Sequence, residues 1–326
     1  MGVIAVGLTT CLAGGGAASA APIPRPASAQ SPASTPNPQR QATEAAGAKE
    51  IGTVKVNSRP STQPGKSVTK TPPQREKTAK QNAAATSRNM QTYGPITVPK
   101  GKIWWAYIKC GGGVAGGGEL NSSGSGAVEL LESRALDDGS GWQVSVGNFG
   151  NTDATFTTYA VCVGGLSDYN LATAKASVGG QAGQNVRAEC TRGKVIGGGS
   201  PMDIGDGGRT SISLLLPIIP IDDFVSYREN FSGDQVSIHS QAVCANGVYT
   251  QFRQSQNVLV PDGTAASAYV ACPSEYIAIS GGGGFYSRGV ITDSYPDGEG
   301  WRIYAKNVSG FGGARSMDAQ VVCVPR

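Results

Sequence analysis

The chain has 326 residues, with 27 Lys and Arg against 23 Asp and Glu, a formal net charge of +4 and a single His. One His leaves most hydrolytic and metal chemistries without their usual base or ligand, and 47 Gly with 19 Pro argue against long helices. The length accommodates one to three domains with a sizeable core.

Residues 1–20 are apolar, carry no charge and close on Ala18-Ser19-Ala20, the small-x-small pattern of a signal-peptidase site. They read as an export signal, although no Lys or Arg precedes the apolar run. Leu8-Thr9-Thr10-Cys11 offers the alternative of a lipidated Cys11, which the Thr before it disfavours. No other segment approaches the roughly 20 apolar residues of a membrane helix. The mature protein is therefore expected to be secreted, either soluble or associated with the cell wall.

Residues 21–88 are rich in Pro, Ala, Ser, Thr and Gln and have almost nothing to bury, so they are predicted to be a disordered arm. Eleven Lys and Arg against Glu44, Glu50 and Glu76 give the arm a net charge of +8, leaving −4 on residues 89–326. A basic tether on an acidic body is suited to anionic cell-wall polymer or an acidic lipid surface. It is not suited to nucleic acid, because the arm lacks interleaved aromatics and the body is acidic.

From residue 89 onward the same landmarks occur three times. Cys110, Cys190 and Cys272 are spaced by 80 and 82 residues, and Cys162, Cys244 and Cys323 by 82 and 79. After each first Cys comes a glycine run: Gly116–Gly118, Gly197–Gly199 and Gly281–Gly284. An aromatic residue then opens a strand (Trp142, Phe224, Trp301), and an Asn follows six residues later (Asn148, Asn230, Asn307). The predicted organisation is three all-β modules of about 80 residues at 89–165, 166–247 and 248–326, each antiparallel. Short connections favour modules packed on one another, in a pseudo-threefold, prism-like arrangement, over three end-to-end sandwiches.

Period-2 alternation puts Trp301, Ile303, Ala305 and Asn307 on one face of a strand, and Cys244 on the same face as Ile238 and Ala242. The cysteines thus face the core. Six cysteines allow 15 pairings. The repeated intervals of 52, 54 and 51 residues favour Cys110–Cys162, Cys190–Cys244 and Cys272–Cys323. Each closed loop is worth about 4 kcal/mol in the chain-entropy model.

The series Cys272, Gly281–Gly284, Ser294-Tyr295-Pro296, Gly300-Trp301, Asn307 and Val321–Cys323 resembles repeats of uncharacterised secreted actinobacterial proteins over residues 89–326. The second copy departs from it, with Phe224 for Trp and Leu216-Pro217 for Tyr-Pro. The resemblance implies an exported β-rich protein and no particular activity.

Chemistry is sparse. His239 falls on the strand face opposite Cys244 and reads as a solvent-side residue without a nucleophile or orienting acid in any motif. The glycine runs lack a following Gly-Lys-Ser/Thr and read as room for Trp142, Phe224 and Trp301. Leu136–Gly141, Asp203–Gly208 and Pro296–Trp301 read as turns before calcium loops. The three Asn read as buried amides that hold the following turn. No cofactor or metal is expected, and no catalytic residue.

Two regions depart from the shared pattern. Trp104 and Trp105 are adjacent in a strand, so one must face away from the core. Tyr286, Arg288, Asp293 and Tyr295 occur only in the third copy and are predicted to line a contact surface for a glycan or a partner protein. The expected function is a non-enzymatic binding or interaction protein at or near the cell surface. The alternatives are a lectin-like carbohydrate-binding protein and, less favoured, a hydrolase.

Overall fold

The computed structural model describes residues 87–121, 128–203, 208, 210–218, 222–308 and 312–326, together with the backbone of 54–56. All of these belong to the compact unit Thr35–Arg326. The export signal, Cys11 and nearly all of the arm lie outside the described residues. The arm reading changes at two places: Val54–Val56 is a strand (β1), and Arg88 opens β2.

Every regular element among the described residues is a β-strand. Six strands come from the first third of the body: β2 (Arg88–Val98), β3 (Ile103–Lys109), β4 (Gly113–Asn121), β5 (Val128–Ala135), β6 (Gly141–Asn148) and β7 (Ala154–Val163). Six more follow: β8 (Ser167–Val178), β9 (Gly183–Glu189), β10 (Lys194–Gly199), β11 (Thr210–Ile218), β12 (Asp223–Asn230) and β13 (Val236–Asn246). The last set is β14 (Gln251–Gln254) and β15 (Val258–Val260), which share one position, then β16 (Ala265–Ala271), β17 (Tyr276–Phe285), β18 (Gly289–Asp297), β19 (Gly300–Asn307) and β20 (Arg315–Pro325).

Each set pairs in the same order. One antiparallel ladder is β3-β6-β5, β9-β12-β11 or β16-β19-β18. The other is β2-β7-β4, β8-β13-β10, or β14 and β15 with β20 and β17. The ladders then join across sets. Ser294 of β18 pairs with Glu119 of β4, and Leu214 and Leu215 of β11 pair with Gly284 and Gly283 of β17. Ser133 of β5 bridges to Ser200, just past β10, through N–H···O=C bonds of 3.3 and 2.7 Å. Each of these seams therefore unites strands far apart in sequence, which end-to-end sandwiches would not do. We number the resulting sheets by the set that supplies the β3-, β9- or β16-type ladder.

The interior follows from the glycine runs. Trp142, Phe224 and Trp301 are fully buried, and their rings lie on Gly117, Gly198 and Gly281, where any Cβ would collide with them. Where the ring is Trp, its indole N–H donates to a seam serine: Trp142 Nε1 to Ser133 Oγ at 2.9 Å and Trp301 Nε1 to Ser294 Oγ at 3.0 Å. Phe224 has no N–H to satisfy, and the same register position is the apolar Leu215. The second copy's departure from Trp is thus matched across the strand, as burial of polar groups requires.

The three Asn act as clamps. Asn148 Nδ2 donates to Val98 O and Thr152 O, both at 2.9 Å, and its Oδ1 accepts from Gly150 N at 3.0 Å. Asn230 Nδ2 donates to Gly179 O and Asp234 O at 3.0 and 2.7 Å, and Asn307 Nδ2 to Val260 O and Gly313 O at 3.0 and 3.1 Å. Each amide therefore fixes a turn and ties it to the other ladder. The disulfides are Cys110–Cys162, Cys190–Cys244 and Cys272–Cys323. In every set the bridge joins the two ladders, which lie in different sheets. Three such bridges belong to a protein that matures in an oxidising environment.

Candidate functional site

The third sheet runs β16-β19-β18-β4-β7-β2. Its inner face carries Trp301, Ile303, Phe156 and Ala160, so alternation sends the intervening residues outward. Across the strands one outward row reads Tyr269, Arg302, Tyr295, Gly118, Tyr159, Thr92. The adjacent row reads Ser267, Tyr304, Asp293, Leu120, Thr157. Gly118 leaves no side chain between Tyr295 and Tyr159, and their rings stack with centroids 5.6 Å apart at 26°. The pair straddles the seam between β18 and β4.

The rest of the row is held by charge. The Arg302 guanidinium lies over the Tyr269 ring, 4.8 Å from its centroid, while Arg302 Nε donates to Asp297 Oδ2 at 2.6 Å. Tyr269 and Tyr304 are 39% and 37% exposed. Four phenol rings, the Arg302 guanidinium and the Asp297 carboxylate thus share one face, with Asp293 in the adjacent outward row.

Two buried acids flank the seam, Asp293 on the outward side and Glu119 on the inner. Asp293 Oδ1 accepts from Asn121 N at 2.5 Å and Oδ2 from Thr292 Oγ1 at 2.9 Å. Burial outweighs those bonds and pushes its pKa up to about 6. Glu119, opposite Thr158 on the inner face, is fully buried. Burial, and then the nearby Asp293, raise its carboxyl well above the usual range. Burial also pushes the Tyr295 hydroxyl up to about 12, so it stays protonated.

Of the residues singled out from the sequence, Asp293 and Tyr295 belong to this seam. Tyr286 and Arg288 do not. They sit in the β17–β18 turn, seven residues from Tyr295 in the case of Arg288, or about 23 Å along an extended strand. Arg288 adopts a left-handed φ of 54°, its backbone N–H donates to Glu229 Oε1, and its Nη1 donates to Gln181 O at 3.4 Å. It therefore joins the third strand set to the second, while Tyr286 is 56% exposed. The four do not form one surface. Trp104 packs against the core, whereas Trp105 is on the other face of β3, stacked on Tyr107 at 6.2 Å.

Tyr159, Tyr269, Tyr304 and Arg302 were not singled out from the sequence. Their only local signal is parity, each falling on the outward phase of a strand. His239 does lie opposite Cys244 in phase, but it is not simply a solvent-side residue. It lines a cavity, with Nε2 2.9 Å from Asp203 Oδ1.

No protein-family model matches this chain, and comparison with curated proteins finds none significantly similar.

Proposed function

We propose that the chain is a non-enzymatic, exported recognition protein that lays a β-linked neutral polysaccharide along the tyrosine row of the third sheet. The observation that carries this reading is the Tyr159–Tyr295 stack over Gly118, continued by Tyr269 beneath Arg302. Sugars present flat C–H faces to aromatic rings and hydroxyls to phenols, guanidinium groups and carboxylates, and a chain laid across the strands meets these groups in turn. A protein partner is the weaker fit. Tyr and Arg are common at protein interfaces but Asp is depleted from them, so the Asp297 carboxylate held within the row is what separates the two readings.

A hydrolytic role is disfavoured by spacing. Asp293 and Asp297 are four residues apart on β18, about 13 Å along a strand, beyond the roughly 6.5–9.5 Å of an inverting glycosidase pair. Glu119 faces the interior. The repeated strand order and the three joined seams support three modules closed about a pseudo-threefold axis. The arm, with its net charge of +8, adds delocalised attraction to anionic wall polymer.

The test is co-sedimentation of the oxidised protein with insoluble cellulose, chitin and β-1,3-glucan. At least one should pellet the wild type, and Tyr159→Ala with Tyr295→Ala should reduce the bound fraction about tenfold or more with little change in thermal stability. Equal pelleting of the double variant, or none with any of the three, refutes the reading.

A further inference from the structure

The first sheet holds a polar cavity where the third holds the tyrosine row. Its outward rows read Tyr107, Gln143, Arg134, Gly199, Gln241, Thr173, and Trp105, Ser145, Glu132, Pro201, His239, Lys175. Where Arg134, Gln241 and Thr173 face Pro201 and His239, these rows open into a cavity of about 550 Å³, within the roughly 300–1,000 Å³ of small-molecule sites.

Its lining residues are held from behind, Arg134 and Met202 by a carboxylate outside the cavity. The buried Glu132 carboxylate accepts from Arg134 Nε, Gln143 Nε2 and Ser145 Oγ, each at 2.8 Å, and from Met202 N at 3.2 Å. Arg134 is fixed in turn by donating Nη1 to Asp137 Oδ1 at 2.7 Å. Gln241 is locked by accepting from Ala135 N at 2.8 Å. Asp203 lies between His239 Nε2 at 2.9 Å and Lys175 Nζ at 3.8 Å.

The pairing of these charges selects the ligand. An ionic ligand would have to displace a partner already in place, leaving a part-buried charge uncompensated. A hydroxyl both donates and accepts, so a polyol can bridge Arg134, Asp203, His239 and Thr173 without breaking a pair. Pro201 and Met202 supply an apolar wall for its C–H face. We infer that this cavity is a saccharide site in its own right, taking a single neutral sugar unit. The inference does not rest on the tyrosine row, because each site is measured separately.

Saturation-transfer NMR of the full-length, oxidised protein with free glucose, galactose, mannose and N-acetylglucosamine tests it. At least one sugar should receive saturation. Asp203→Ala should weaken that binding about tenfold, the scale of one charged hydrogen bond. Thr173→Trp, which fills the cavity from an exposed rim position and leaves every ion pair in place, should abolish it. Tyr159→Ala with Tyr295→Ala should leave it unchanged. Absence of transfer to all four sugars, retention in Thr173→Trp, or loss in the tyrosine variant overturns the proposal.

Discussion

Asp293→Asn isolates the buried acid beside the tyrosine row. With a folded pKa of about 6 against an ordinary 3.8, Asp293 binds its proton more tightly in the folded protein. Its contribution to stability is therefore complete below pH 3.8 and is lost as pH rises through 6. The full span is about 2.2 units, or about 3 kcal/mol, of which about 2.5 kcal/mol falls between pH 4 and pH 7. Asn cannot ionise. It keeps an acceptor for the Asn121 N–H, and its amide can donate to the Thr292 hydroxyl, so its own offset is independent of pH. Thermal unfolding of both proteins, with disulfides intact, at pH 4, 5, 6 and 7 should show the variant gaining on the wild type as pH rises. For a body of this size the relative gain is about 5–10 °C. Glu119, whose carboxyl is raised in the same sense and partly by Asp293, reinforces the trend. A difference that stays constant across the four pH values, or one that runs the other way, refutes the assignment of Asp293 as a carboxyl raised by burial.

Gly198→Ala drives a Cβ into the Phe224 ring and should destabilise the fold by about 1–3 kcal/mol or more, read from urea unfolding. Asn307→Ala leaves the Val260 and Gly313 carbonyls without their donor; a loss of about 1–3 kcal/mol and faster amide exchange in the turn after β19 are expected. Deleting residues 21–86, which stops short of β2, should cut retention on anionic cell walls at low salt, with little difference from the full chain at high salt; unchanged retention at low salt removes the arm from any binding role.

The all-β character was legible because it is written locally. Period-2 alternation, the absence of helical periodicity and regular Gly punctuation need no knowledge of distant residues. The three bridges were legible too, since each pair recurs at a nearly constant interval with both cysteines on the core face. The roles of Gly117, Gly198 and Gly281 beneath an aromatic ring, and of Asn148, Asn230 and Asn307 as turn clamps, could be inferred because they recur with their partners. What only the tertiary structure decided is which strands meet at the seams. Alternation states which face a side chain takes but not which distant strand lies beside it, so Tyr159 and Tyr295 could not be paired from sequence. Nor could Asp293 be placed on the Asn121 N–H, or Asp203 beside His239. The grouping of Tyr286 and Arg288 with Asp293 and Tyr295 failed for the same physical reason. Proximity along an extended strand grows by more than 3 Å per residue, so neighbours in sequence part quickly. Residues on strands joined by a seam are brought within ring contact instead.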